Sequence, residues 1–179
     1  LRQRRNSLSP SEQLAAAQAL ARSVTGLPAW TVAQRVAVYL AADGEIDTRS
    51  VACVAREQDK QVYLPVIGED NRLRFARWNA DDLLEYNRFN IPEPPAVAAQ
   101  CPVRDLDIVF LPLVAWDRRG GRLGMGGGFY DRTLAGVSGP LLVGLAHDCQ
   151  QVDAVPRDAW DIDLDFIATD VALYRRQSD

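Results

Sequence analysis

Four short apolar runs constrain this chain more than any other feature: Arg35 to Leu40, Gln61 to Ile67, Leu106 to Leu111 and Leu141 to Ala146. Each is too short to be a buried helix and is rich in Val, Ile and Leu. That pattern is a strand covered on both faces. Helical spacing fills the intervals. Ser9-Pro10-Ser11-Glu12 is a helix start with a capping box, because Ser can accept from a free N–H, Pro suits the first helical position and Glu can close the box. Leu14, Ala17, Leu20, Ala21 and Val24 then recur on one helical face until Gly26 and Pro28. A second helix is expected over Arg49 to about Gln58, with Asp47 or Thr48 at its start, residues that suit an N-cap. Strands alternating with helices predict an α/β fold with a mainly parallel sheet.

The remaining segments are weaker signals. Arg72 to Trp78 alternates as a half-exposed strand. Leu83 to Tyr86 reads as a short helix, Asn90 to Pro95 as extended loop, and Asp161 to Phe166 as extended chain. Val171 to Tyr174 is a last short strand. Asp163 and Asp165 read as a solvated strand face. The 179 residues fit a single domain, large enough to bury roughly 70% of the unfolded chain's surface. A net charge of -4 argues against a broad basic nucleic-acid face. Cys53, Cys101 and Cys149 match no zinc or CxxC spacing and read as buried thiols in a reducing cytoplasm. No apolar run approaches a membrane span, and Leu1-Arg2-Gln3-Arg4-Arg5 has no apolar stretch after it to make a secretory signal. The expectation is a cytoplasmic chain whose native N-terminus is longer. Arg2, Arg4 and Arg5 read as a solvated helix end.

Open α/β sheets bind ligands beyond the carboxyl ends of their strands. Three segments follow strands here: Asp43 to Thr48, the stretch after Leu111, and His147-Asp148. The second is the most distinctive. Gly120, Gly121, Gly124, Gly126, Gly127 and Gly128 are six of the chain's 12 glycines, and Tyr130 to about Ala135 reads as a helix after them. It is neither a Walker A loop nor a Rossmann fingerprint. Consecutive glycines still let several N–H groups face one anion, and Arg122 adds a forked cation. Asp131, one turn into that helix, is either a first-turn acid favoured by the dipole or a ligand of Mg²⁺ lying between it and a phosphate. His147, the only histidine, reads as a hydrogen-bonded structural residue.

Arg122-Leu123-Gly124-Met125-Gly126-Gly127-Gly128-Phe129-Tyr130-Asp131-Arg132, preceded by Pro112 to Asp117, resembles the signature of the 5-formyltetrahydrofolate cyclo-ligases. The segments Glu45 to Thr48, Asn90 to Pro94 and Val155 to Asp161 fit in order and spacing. The resemblance implies a three-layer α/β/α fold of the NagB/RpiA/CoA-transferase-like kind. It implies cyclisation of 5-formyltetrahydrofolate to 5,10-methenyltetrahydrofolate through an iminium phosphate, with ADP and phosphate released and with ATP and Mg²⁺ required. By the same resemblance Arg122, Leu123, Gly124, Met125, Gly126, Gly127, Gly128, Phe129 and Tyr130 hold ATP, Arg122 being catalytic. Met125 to Phe129 also touch the folate, Leu40 and Glu45 line its pterin side, and Asp131 and Asp161 share the Mg²⁺. Phe129, Tyr130 and Phe89 are candidate stacking partners or core aromatics. A monomer that binds no nucleic acid or membrane is expected.

Two departures bear on this reading. Many members carry a basic residue in the loop where this chain has Met125 and Gly127. By the resemblance, the family's basic segment that touches ATP is expected to lie before Leu1, with Arg2, Arg4 and Arg5 as its tail. A non-catalytic folate- or nucleotide-binding chain on the same fold is therefore a second reading. A sugar-phosphate isomerase is a third, disfavoured because the only lysine is Lys60.

Overall fold

The computed structural model describes residues 2–177; Leu1 lies outside it. Helix α1 (Arg2–Asn6) precedes α2 (Pro10–Thr25), which starts at the expected capping box. Glu12 N donates to Ser9 Oγ at 3.3 Å, and Ser9 N donates to Glu12 Oε2 at 2.7 Å. Strand β1 (Arg35–Ala37), shorter than the Arg35 to Leu40 run expected as strand, is followed by α3 (Arg49–Glu57), β2 (Gln61–Ile67) and β3 (Leu73–Arg77). Next come β4 (Glu85–Tyr86), β5 (Pro92–Glu93), β6 (Gln100–Cys101), β7 (Ile108–Pro112), β8 (Ala115–Trp116) and β9 (Arg122–Leu123). The chain closes with α4 (Phe129–Leu134), β10 (Leu141–Ala146), β11 (Phe166–Thr169) and β12 (Leu173–Arg175).

Eight strands form one sheet in the order β12-β11-β10-β7-β1-β2-β3-β6. The five from β11 to β2 are mutually parallel. The flanking β12, β3 and β6 pair antiparallel. A period of two along each strand divides the core. Val36, Val38, Val62, Leu64, Ile108, Phe110, Val143 and Leu145 meet α2 and α3 on one face. Ala37, Tyr63, Val109, Leu111 and Ile167 meet Leu113, Trp116, Leu134 and Leu164 on the other. Both faces are covered, which is why the strands read as continuous apolar runs. The second cover is mostly loop and hairpin, with α4 as its helix.

Several sequence expectations are corrected. Leu83 to Tyr86 is not helical: Glu85 and Tyr86 pair with Glu93 and Pro92 in a hairpin. Asn87 Oδ1 accepts from Phe89 N and Ile91 N, and Asn90 sits at φ 59. That local turn chemistry offers the backbone an alternative to helix. Leu14 is 61% exposed, and Ala16 takes a place on the buried face of α2. Strand β11 begins only at Phe166, so Asp161 to Asp165 is loop. Its acids are engaged rather than solvated: Asp163 pairs with Arg157 and Arg176, and Asp165 accepts from Leu142 N. Cys53 and Cys149 are exposed, and only Cys101 is buried. Arg5 is fully buried, although Arg4 is exposed; Arg2's side chain lies outside the described part. Among the described residues no helix is long and apolar enough to cross a membrane.

Candidate active site at the carboxyl edge of the sheet

The parallel strands β1, β2, β7 and β10 end on one edge, so the loops that follow them meet there. Leu40 ends the run beyond β1 and packs, half-buried, against the α2–α3 side of the core. Ala42 to Glu45 is a tight turn. Glu45 N donates to Ala42 O at 2.9 Å, and Glu45 Oε2 accepts from Ala42 N at 3.0 Å. Asp43 and Gly44 both have positive φ, as a turn with two left-handed central residues demands. A Cβ on Gly44 would collide with the Asn6 side chain of α1. The turn is therefore pressed against the N-terminal helix.

Glu45 is half-buried. Burial pushes its carboxyl above the ordinary glutamate range, against the hydrogen bond from Ala42 N and the charge of Arg5, while Asp43 adds to the rise. Tyr39 and Tyr130 both feel its charge, and burial pushes both phenols up. An acid with a raised folded-state pKa is ionised more readily unfolded, so its stability contribution is present below the unfolded pKa and lost as pH rises through the folded one. Glu45→Gln is accordingly expected to raise the melting temperature at neutral pH, with the difference vanishing in acid below the ordinary glutamate range. Thermal melts across pH check this; a lower Tm at neutral pH would contradict it.

The glycine stretch leaves β7 through a two-stranded hairpin in which Ala115 and Trp116 pair with Leu123 and Arg122. Asp117 organises that hairpin and was not singled out by sequence. Its Oδ1 accepts from Arg119 N and Gly121 N at 2.9 Å, and its Oδ2 from Val155 N at 2.8 Å. Burial would raise its pKa, but those three backbone donors and Arg157 hold it below the ordinary aspartate range. Asp117→Ala leaves three N–H groups without their acceptor. It is expected to cost about 3 kcal/mol, read as a lower urea midpoint at neutral pH. Because the folded pKa is depressed, the native contribution is lost as pH falls through the acid range, so the two chains should converge there.

From this hairpin Arg122 faces back into the site. Its side chain is 6% exposed, and Nη2 lies 2.8 Å from both carboxylate oxygens of Asp131. Its Nε is buried without a hydrogen-bond partner. Nη1 lies 3.0 Å from where a Cβ on Gly124 would stand, so glycine leaves the room for the guanidinium. Gly126 and Gly128 have φ 92 and 64, backbone that side chains rarely adopt. A Cβ on Gly126 would meet nothing within 4 Å. Leu123, Met125, Gly126 and Gly127 are exposed, and Gly124, Gly128, Phe129 and Tyr130 partly so. Gly128 caps α4 without a side chain, so the first N–H groups of that helix have no capping side chain there. Phe129 and Tyr130 pack partly against the second core face.

Asp131 also accepts from Ile162 N at 3.3 Å, which brings the Asp158 to Ile162 turn against α4. Asp161 uses Oδ2 to accept from Asp158 N at 2.8 Å. The structure thus places the two sequence-predicted acids on adjoining segments. Among the described residues no group of three His, Cys, Asp or Glu side chains is placed to hold a metal. Two carboxylates beside a glycine loop are the donor type that Mg²⁺ takes, one or two protein carboxylates at a time.

His147 is 1% exposed, with the Gly44 backbone as its hydrogen-bonding neighbour. Burial pushes its pKa below the ordinary imidazole value, opposed by Asp170 and the Gly44 backbone and aided by Arg5. Phe89 stands apart at the hairpin β4–β5, half exposed, beside a cavity of about 290 Å³ lined by Ile67, Gly68, Glu69, Asn87 and Arg88.

Known proteins resemble this chain in sequence and in fold. The family model described as the 5-formyltetrahydrofolate cyclo-ligase family matches residues 1–170. A 5-formyltetrahydrofolate cyclo-ligase of Haemophilus influenzae is 40% identical over 169 residues, 92% of this chain and 90% of that one. That of Escherichia coli (strain K12) is 41% identical over 174 residues, 94% and 96% of the two chains. The NMR structure of Aquifex aeolicus 5,10-methenyltetrahydrofolate synthetase superposes with a TM-score of 0.86 at 31% identity, covering 99% of this chain and 90% of that one. A Mycoplasma pneumoniae 5,10-methenyltetrahydrofolate synthetase shares the fold, with a TM-score of 0.75 at 22% identity over 94% and 93% of the two chains. The chain belongs to the 5-formyltetrahydrofolate cyclo-ligase family.

Proposed function

We propose that this chain converts 5-formyltetrahydrofolate to 5,10-methenyltetrahydrofolate with MgATP, in the crevice between the Glu45 turn and the glycine loop. The observation that carries the reading is the nearly buried Arg122 guanidinium, aimed at an open glycine loop and paired with Asp131. Formamide oxygen is a weak nucleophile, and an oxide is a poor leaving group. Phosphorylation solves both problems. The formyl oxygen attacks the terminal phosphorus, ADP departs, and an iminium phosphate forms. N10 of the folate then attacks the iminium carbon, loses its proton, and phosphate leaves with the oxygen.

The chain's residues serve these steps by position and charge. Arg122 to Tyr130 embrace the nucleotide, with backbone N–H groups and the Arg122 fork directed at the transferring phosphoryl group. Glu45 accepts from pterin N–H donors, with Leu40 at its side. Met125 to Phe129 face both ligands, which sets the formyl oxygen in line with the phosphorus. Asp131 and Asp161 would hold Mg²⁺, which when bound neutralises charge on the phosphates. The working unit is proposed to be a cytoplasmic monomer that acts on a small molecule, without nucleic acid.

The test mixes protein, MgATP and 5-formyltetrahydrofolate and follows the near-ultraviolet absorbance of the methenyl product. Omission of ATP or Mg²⁺ should abolish product. Tight binding of either ligand with no product would instead support a non-catalytic binding chain.

A further inference from the structure

We propose that Arg5 is a positioning residue for this reaction, tying the Glu45 turn, the end of β7 and the glycine loop into one rigid wall. The inference rests on the reading above, in which the Glu45 turn receives the folate and the glycine loop the nucleotide. The guanidinium is fully buried. Its Nε donates to Asp43 O at 2.8 Å and its Nη2 to Asp43 Oδ2 at 3.0 Å, both on the folate-side turn. Its Nη1 donates to Leu113 O at 3.1 Å, just past β7. Its Nη2 also lies 3.8 Å from Met125 Sδ, inside the glycine loop. One planar fork therefore spans three separate chain segments, a geometry that a single ammonium cannot reproduce.

The anchor is itself fixed. Gln13 Nε2 donates to Arg5 O at 3.1 Å, which ties α1 to the first turn of α2. Asn6 Nδ2 reaches Asp43 Oδ1 at 3.4 Å. Arg5 also supplies a cation to the interior side of the crevice. The groups that face Glu45 are Arg5, Asp43, Tyr39, Tyr130 and the Ala42 N–H. Of these Arg5 is the cation, and it holds Glu45 nearer to the ionised form than burial alone would. Arg5 thus does two separable things: its fork sets the loops, and its charge favours a carboxylate that can accept from the pterin.

Arg5→Lys and Arg5→Gln separate them. Steady-state kinetics in both substrates, a pH profile of kcat/KM for 5-formyltetrahydrofolate and a thermal melt would be recorded. Arg5→Gln should lower kcat/KM by about 100-fold, the scale of a small misplacement in a preorganised site, and move the acid limb of the profile to higher pH. Arg5→Lys keeps the charge and loses the fork. It should leave the acid limb near the wild-type position while still lowering kcat/KM by roughly 10-fold or more. If Arg5→Gln does not fold, Arg5→Lys and the wild type carry the test. A folded Arg5→Lys with wild-type kinetics in both substrates overturns the proposal. So does a folded Arg5→Gln whose acid limb is unmoved and whose loss only tracks its melting temperature. Wild-type protein that yields no methenyl product overturns the functional reading itself, which is a different outcome.

Discussion

Asp131→Asn is expected to lower turnover by about 10²- to 10³-fold, the range found when one preorganised electrostatic partner is lost, and to raise the Mg²⁺ concentration at half-maximal rate. The physical reason is double. The carboxylate would be one of two protein ligands offered to the metal. It is also the partner of the Arg122 guanidinium, with Nη2 at 2.8 Å from both oxygens. Removing the acid leaves a nearly buried cation without its counter-charge, which costs about 3–5 kcal/mol when one partner of a buried pair is deleted. Stability and kinetics must therefore be read together. Measurements of kcat against Mg²⁺ and a urea titration on the same preparation would do so. Wild-type Mg²⁺ dependence in a folded Asp131→Asn chain would remove Asp131 from the metal role.

Arg122→Gln should have the larger effect on the chemical step, about 10³-fold in kcat, because in the proposed site the guanidinium would meet charge spreading over the transferring phosphoryl oxygens. Its Nε is buried and unpartnered in the protein alone. Such an orphaned donor is costly unless something accepts from it, and a phosphate oxygen is the acceptor that the proposed reaction brings. The double variant Arg122→Gln/Asp131→Asn sharpens the point. It removes both charges together, so it should recover much of the stability lost by Asp131→Asn while remaining as inactive as Arg122→Gln. Single-turnover product formation and unfolding midpoints for the two singles and the double complete the cycle. Equal stability losses that simply add would mean that the pair is not coupled.

Much of the fold is legible in the amino-acid sequence. The apolar runs became β1, β2, β7 and β10 because strands covered on both faces need no alternation, and each such run is bounded by turn residues. Ser9 and Glu12 announced the start of α2 because a capping box is a purely local arrangement. The glycine loop and the helix after it were legible for the same reason: the loop's conformation is a property of its own residues.

The rest depended on partners distant in sequence. Leu83 to Tyr86 has the composition of a helix, but the Asn87 and Asn90 turn closes it into a hairpin with Pro92 and Glu93. Asp117 gains its role only because Val155, 38 residues away, comes to donate to it. Arg5 looked like a solvated charge because charge runs usually are. Its partners Asp43, Leu113 and Met125 lie 38, 108 and 120 residues downstream.

Most of the local order of strands, helices and loop was thus determined by the sequence alone, because propensity, capping and turn chemistry act over a few residues. Which charges are buried, and what they hold, was decided only by the tertiary structure. A charge enters the interior only where the folded chain brings acceptors to it, and for Arg5 those acceptors come from separate segments at one edge of the sheet.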